Sequence, residues 1–237
     1  MKFITIIPAY NEEKAIKSVV ECALKYGDVL VVDDGSDDNT YNLAKSADVK
    51  IVKHEKNRGK GAAIKSGLKE ALNNNYDVLI LLDGDGQHNP DCIPSFISNM
   101  DGNELVIGSR FKKGNPENMP VWRKLSNKIT TNLIKFGTGY RLTDSQSGFR
   151  AISRNAAGLF LDIKYNDYLY ESEMFYRAAR HKIKVSEAPI PCTYGDEKSY
   201  VTKMHALKYI LFISGLLGRK LKIRVTGNPI KANQIDG

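Results

Sequence analysis

Cysteine is scarce in this chain: Cys22, Cys92 and Cys192 are the only three in 237 residues. They are odd in number, far apart and without any C-x-x-C spacing. That excludes a zinc ribbon, a redox pair and a secreted disulfide framework, and a reducing compartment fits better. Long apolar runs are also lacking. The longest uncharged one, Tyr209 to Gly218, is half of the roughly 20 residues that span a bilayer, and Ser214 and Gly215 interrupt it. The N-terminal Met1–Pro8 is broken by Thr5 and stopped by Pro8, so it reads as a buried strand rather than a signal peptide. Neither G-x-x-x-x-G-K-[ST] nor a G-x-G-x-x-G after the first strand occurs. The first absence excludes a Walker A loop and the second argues against a Rossmann dehydrogenase. Internal repeats, low-complexity tracts and clean linkers are absent too.

What remains is ordinary globular composition, 42% hydrophobic and 26% charged. The net charge of +8 is unevenly spread. Residues 1–109 sum to −5, 110–135 to +6, 136–197 to zero and 198–237 to +7. An acidic half suits a metal; basic segments suit phosphates, nucleic acid or an anionic membrane face.

Hydrophobic periodicity predicts strands at Lys2–Pro8, Asp28–Val32, Val49–Val52, Asp77–Leu82 and Leu105–Gly108. Helical patterns fall between them, at Glu12–Lys25, Thr40–Ala47 and Gly61–Leu72. That alternation predicts a parallel sheet covered on both faces. After Arg110 the rhythm weakens. Met119–Phe136 reads as one or two basic amphipathic helices, Asp167–His181 as a helix, Ile183–Val185 as a strand and Ala188–Tyr194 as extended. Lys203–Leu217 reads as a last amphipathic helix.

Ligands of open α/β sheets bind beyond the carboxyl ends of the strands. Three polar clusters fall there: Pro8-Ala9-Tyr10-Asn11-Glu12, Asp33-Asp34-Gly35-Ser36 and Asp83-Gly84-Asp85-Gly86-Gln87-His88. In the third, two carboxylates alternate around a glycine. Mg²⁺ and Mn²⁺ want such hard oxygen ligands, with substrate phosphates completing the shell, and Gln87 or His88 could join them. Asp34 is a candidate hydrogen-bond acceptor for a ribose or base, and Tyr10 a candidate base neighbour. Asn57-Arg58-Gly59-Lys60-Gly61 precedes a helix, where Lys60 and free N–H groups suit phosphate.

The strings I-I-P-A-Y-N-E, V-V-D-D-G-S, N-R-G-K-G-A-A, L-L-D-G-D-G-Q-H and G-S-R, in this order, resemble the family 2 glycosyltransferases. D-S-Q-S-G-F-R (Asp144–Arg150) resembles the signature of their polyprenyl-phosphate (dolichol-phosphate) branch. The resemblance covers roughly residues 3–200. It implies an α/β GT-A fold, with a Rossmann-like, mostly parallel sheet and helices on both faces. The implied reaction is metal-dependent, inverting transfer of a hexosyl unit from a nucleotide sugar (GDP-mannose, UDP-glucose or UDP-GlcNAc) to a polyprenyl (dolichyl) phosphate. By the same resemblance, Pro8, Tyr10, Glu12, Val32 and Asp34 border the nucleotide. Asp83, Asp85 and Gln87 hold Mg²⁺ or Mn²⁺, with Gly84 lending backbone contact. Asp85, Arg110 and Asp144 are the expected catalytic residues. The acceptor loop is Met119–Thr138, with Arg123 and Ser126 as anchors for the lipid phosphate; Lys198, or Lys203 in its stead, is a further phosphate contact. The domain reading is 1–200 for the transferase (1–109 donor half, 110–200 acceptor half) and 201–237 for a basic amphipathic segment. Residues 203–225 read either as a segment at a membrane interface or as a helix packed on the sheet with its charges solvated, and the protein is expected peripherally on the cytoplasmic face of the membrane.

Other readings are a family 2 enzyme acting on a saccharide hydroxyl, with Glu171 or Glu173 as general base, and a scaffold needing a membrane-anchoring partner subunit. A nucleic-acid-binding module is disfavoured: the basic residues have one aromatic neighbour, Trp122, and no binding motif.

Overall fold

A computed structural model describes residues 1–191, with the exception of 115, 117 and 118. Cys192, Lys198, Lys203 and the segments 203–225 and 201–237 lie outside the described residues. The strands are β1 (Phe3–Ala9), β2 (Asp28–Asp33), β3 (Lys50–Lys53), β4 (Val78–Leu81), β5 (Leu105–Ser109), β6 (Arg150–Ser153) and β7 (Val185–Pro189). The helices are α1 (Ile16–Leu24), α2 (Thr40–Lys45), α3 (Lys60–Asn73), α4 (Ile93–Ser98), α5 (Val121–Thr138), α6 (Arg154–Phe160) and α7 (Leu169–Arg180).

The seven strands form one sheet in the order β3-β2-β1-β4-β6-β5-β7. All pairings are parallel except those of β6, which runs against both β4 and β5. Six strands therefore end at one edge, and the chain enters β6 at that same edge.

Alternate residues of a strand face opposite sides of a sheet. Ile6, Leu30, Leu79 and Ile107 enter one core with residues of α3, α6 and α7. Ile7, Val31, Ile80 and Val106 enter the other with residues of α1, α2 and α4. Both faces are dry, which is why these strands read as continuous apolar runs. Each such side chain contributes about 1.5–3 kcal/mol on burial.

Some expectations shift. The 12–25 helix begins only at Ile16, because Glu13–Ala15 form a turn. The basic segment after Met119 is a single helix, α5, closed by Gly139 at φ 82°. The pattern did not reveal α4, β6 or α6. β6 has four residues, Arg-Ala-Ile-Ser, and Ser153 at its end caps α6 by accepting from Ala156 N at 3.2 Å. Strand passes into helix with no loop to mark the boundary.

Candidate active site

The first two polar clusters are knitted together. Asp34 N donates to Ala9 O at 2.8 Å, Asn11 N to Ser36 Oγ at 3.0 Å and Glu12 N to Thr40 Oγ1 at 2.8 Å. Asn11 takes φ 57°, a left-handed conformation that asparagine tolerates better than most side chains. Tyr10 and Glu12 are partly exposed on this platform. Pro8 and Val32 are neighbours in the β1–β2 register and both are buried. Val32 projects into the core, so only its backbone is available to a nucleotide.

Asp34 departs from expectation. Its carboxylate is 3% exposed rather than offered to a ligand. Oδ1 accepts from Arg58 N at 3.0 Å and meets His54 Nδ1 at 2.6 Å; Oδ2 accepts from Gly59 N at 2.8 Å. It clamps the turn that starts α3. Gly59 sits there at φ 96°, and a Cβ would overlap the Asn166 carbonyl, so only glycine fits.

That turn delivers Lys60, the first residue of α3. Its ammonium lies 2.8 Å from Asp83 Oδ1 and 3.1 Å from Glu171 Oε1, the latter without hydrogen-bond alignment. Lys60 thus bridges two carboxylates, one from the loop after β4 and one from α7. Burial disfavours its charge, yet Asp83 and Glu171 outweigh that and raise its pKa above the ordinary lysine value. Burial likewise works against the Asp83 carboxylate, and the lysine holds its pKa below the usual range.

Asp85 Oδ1 accepts from Gln87 N at 2.9 Å. Asp83, Asp85 and Gln87 are all partly exposed at this edge. As a donor set they fit Mg²⁺ or Mn²⁺: two hard carboxylates and an amide oxygen, with Asp83 already meeting a cation. Among the described residues no group of three His, Cys, Asp or Glu forms a complete cage, so substrate phosphates would complete the shell. His88 is buried, its Nδ1 without a hydrogen-bond partner. Burial pushes its pKa down to about 4, against the pull of Asp83 and with the push of Arg110. The buried imidazole is therefore neutral at physiological pH.

Arg110 follows β5. Its Nε and Nη2 donate to Asp144 Oδ2 and Oδ1 at 2.7 and 2.9 Å, a bidentate pair in which the carboxylate is fully buried. Burial opposes ionisation of Asp144, but the Arg110 bonds lower its pKa. Asn127 Nδ2 of α5 adds a third side-chain donor at 2.6 Å. The loop that carries Asp144 also reaches Asp83: at Gly148 a Cβ would overlap the Asp83 carboxylate. One loop thus touches both Asp83 and the arginine.

Two supporting residues escaped the sequence reading. Glu187 of β7, 8% exposed, accepts from Thr143 N at 2.7 Å and Asp144 N at 3.0 Å through Oε1, and from Thr143 Oγ1 at 2.9 Å through Oε2. Arg150, fully buried, donates to the carbonyls of Ser147 at 3.0 Å, Glu171 at 2.9 Å and Ser145 at 3.4 Å, and lies over the Phe175 ring. It closes the 144–150 loop onto α7. Glu187 had no signal, being one acidic residue in a short strand. Arg150 stood inside a quoted motif with no role given. Of the acceptor residues, Arg123 is half-buried with its guanidinium 5.4 Å from the Trp122 ring, and Ser126 is exposed.

Residues 4–160 match the family model described as glycosyl transferase family 2. The chain belongs to that family. This transferase is 38% identical over 216 residues to the UDP-N-acetylglucosamine–dolichyl-phosphate N-acetylglucosaminyltransferase of Methanococcus voltae, covering 81% of this chain and 85% of the relative. It is 32% identical over 201 residues to the undecaprenyl-phosphate mannosyltransferase of Micrococcus luteus, covering 80% and 83%. Among solved structures, glucosyl-3-phosphoglycerate synthase from Mycobacterium tuberculosis, in complex with Mn²⁺, UDP-glucose and phosphoglyceric acid, superposes with a TM-score of 0.71. That match covers 92% of this chain and 80% of the synthase at 18% identity, a likeness of fold.

Proposed function

We propose that this glycosyltransferase moves a hexosyl unit from a nucleotide sugar to a polyprenyl phosphate, with inversion at the anomeric carbon. The observation that carries the reading is the 144–150 loop, which abuts Asp83 through Gly148 and holds Arg110 through Asp144. An acidic, metal-competent donor cluster and a fixed cation are thereby joined at one edge of the sheet. The relatives named above, with lipid-phosphate acceptors in their names, support the choice of acceptor.

The donor lies along the edge built by Pro8, Tyr10, Glu12 and the backbone of Val32, with its diphosphate toward Asp83, Asp85 and Lys60. A divalent ion held by Asp83, Asp85 and Gln87 supplies, when bound, charge neutralisation on the leaving diphosphate. Arg110 adds a guanidinium fixed in direction by Asp144, so it needs little reorganisation as charge develops. An acceptor phosphate oxygen attacks the anomeric carbon while the bond to the nucleoside diphosphate breaks, and the nucleoside diphosphate departs with the electron pair. A phosphate monoester is already charged, by about −1.5 to −2 at neutral pH, and needs no general base. Glu171, ion-paired to Lys60, serves as a charge partner in this scheme.

The test is a donor and acceptor matrix: UDP-GlcNAc, UDP-glucose and GDP-mannose, each with a polyprenyl phosphate or a free saccharide, in Mg²⁺, Mn²⁺ or chelator. Expected is label transfer to the lipid phosphate with one nucleotide, lost on chelation and in Asp85→Ala. Transfer only to saccharide, abolished by Glu171→Gln, would replace this reading with a hydroxyl-acceptor enzyme.

A further inference from the structure

Helix α5, which packs against α7, is inside out for a helix of a globular domain. Its buried residues are Asn127, Thr130, Thr131 and Ile134, three of them polar. Its exposed residues include Val121, Trp122, Leu125, Ile129 and Phe136, at 82, 62, 57, 53 and 53% exposure. These are five of the seven large hydrophobics exposed among the described residues. At about 100° per residue, the five fall within an arc of about 100°. The four buried residues fill an arc of similar width on the opposite side. The apolar arc points directly away from the protein body.

The inward face is satisfied by specific bonds. Asn127 donates to Asp144, Thr131 meets Ser145 at 3.0 Å, and Gln146 donates to Thr130 at 3.2 Å. The outward face cannot be exchanged with it without orphaning that network. The apolar arc is thus held in water by the geometry of the site, and an uncompensated exposure of this kind marks an interaction surface.

Charge identifies the partner. α5 carries Arg123, Lys124, Lys128 and Lys135 and no acidic residue. Lys124, Lys128 and Lys135 are exposed and border one side of the apolar arc. An apolar arc with tryptophan and phenylalanine, edged by lysines, matches a helix lying in the headgroup region of an anionic bilayer. Building on the lipid-phosphate acceptor proposed above, we infer that α5 is the face by which this enzyme sits on an anionic phospholipid surface. No helix of the described residues is long and apolar enough to cross a membrane, so docking is in the plane. The helix that touches lipid on one side holds Asp144, and through it Arg110, on the other. Docking therefore brings the reaction centre to the depth at which a membrane-embedded phosphate is presented. The surface differs from residues 203–225, where the sequence alone offered a membrane contact as one of two readings.

Trp122 is the sole tryptophan, so the full-length protein carries its own probe of α5. The experiment titrates phosphatidylcholine vesicles, with and without 30 mol% phosphatidylglycerol, while tryptophan emission and co-sedimentation are followed. Brominated lipid acyl chains serve as quenchers. Expected are a blue shift and quenching, stronger with phosphatidylglycerol. Leu125→Ser/Ile129→Ser/Phe136→Ser is expected to weaken sedimentation at least tenfold, while nucleotide-sugar binding measured by calorimetry stays within twofold of wild type.

Emission unmoved by vesicles would overturn the inference, as would vesicle binding that the triple variant retains, which would assign docking to another part of the chain. A dimer seen by light scattering and lost in the variant, without vesicle binding, would instead make a second copy the occupant. These outcomes separate from failure of the acceptor reading. Activity on a water-soluble short-chain prenyl phosphate without vesicle docking leaves that reading standing; docking without activity on any prenyl phosphate removes it.

Discussion

The N-terminal half, proposed above to hold the donor, and the C-terminal half, proposed to hold the acceptor, use the same device, reached by different routes. In the donor half, the buried Asp34 carboxylate clamps the backbone N–H groups of Arg58 and Gly59, and the next residue, Lys60, pairs with Asp83. In the acceptor half, the buried Glu187 carboxylate clamps the N–H groups of Thr143 and Asp144, and Asp144 pairs with Arg110. Each half spends one buried carboxylate to fix a turn, and the turn fixes an ion pair. The difference lies in where the carboxylate comes from. Asp34 directly follows a parallel strand and stands in a motif. Glu187 comes from the edge strand β7, more than 40 residues along the chain from the turn it holds. Both clamps are tertiary contacts, but the first joins two motifs that stand out in the sequence and the second joins a motif to an ordinary residue of an edge strand.

The comparison breaks most severely at Arg110. Arg110→Ala removes the fixed cation on the reaction side and leaves Asp144 buried without its partner. Turnover should fall by about 10²–10³-fold, as for a lost oxyanion donor, in steady-state assays at saturating donor. Next is Asp34→Ala, which orphans two N–H groups and Nδ1 of His54. A stability loss of about 3 kcal/mol is expected in urea unfolding, with nucleotide affinity weakened through the displaced Lys60. If affinity is unchanged while stability falls, the clamp does not set the lysine.

Gly148→Ala tests the junction of the halves. The added Cβ must displace Asp83 or the loop, so a loss of about 1–3 kcal/mol is expected, with weaker metal-dependent nucleotide binding by calorimetry. An alanine variant of wild-type affinity would disconnect Asp83 from the 144–150 loop. Glu187→Gln keeps one acceptor oxygen and loses the charge, worth about 1 kcal/mol. Turnover should drop about tenfold or less with donor affinity intact, marking it as a positioning residue of the acceptor side alone.

The smallest effect is on the acid limb of stability. The Asp144 pKa is lowered below its ordinary 3.8 in the folded protein. Its contribution is full above that value and is lost as pH falls through the lower folded-state value, where the folded carboxylate must take up its proton. Asp144→Asn should therefore be less stable at neutral pH and lose stability less steeply below about pH 3.8. Parallel acid unfolding curves would argue that the pair contributes no linkage.

Much of the candidate site is legible in the sequence. Strands buried on both faces leave long apolar runs, and polar residues at their carboxyl ends stand out against them; that is how the clusters at Pro8, Asp33 and Asp83 were found. Elements without such contrast were not. β6 is four residues long and alternates nothing, and Glu187 and Asn127 are ordinary polar residues in their local sequence. Asp34 stood out in the sequence but its hydrogen-bond partners did not, since an acidic residue in a turn reads alike whether it faces a ligand or its own backbone.

By itself, the sequence determined the alternation of strands and helices, the five motif strings and the acidic edge, because each rests on periodicity or spacing within a few residues. Only the tertiary structure decided that β6 enters the sheet antiparallel and brings the 144–150 loop onto Asp83. It also decided that a carboxylate from β7 orients Asp144, and that α5 turns its polar side inward. Those outcomes depend on which buried hydrogen bonds can be satisfied at once. That is a condition on residues distant along the chain, and it leaves no local pattern to read.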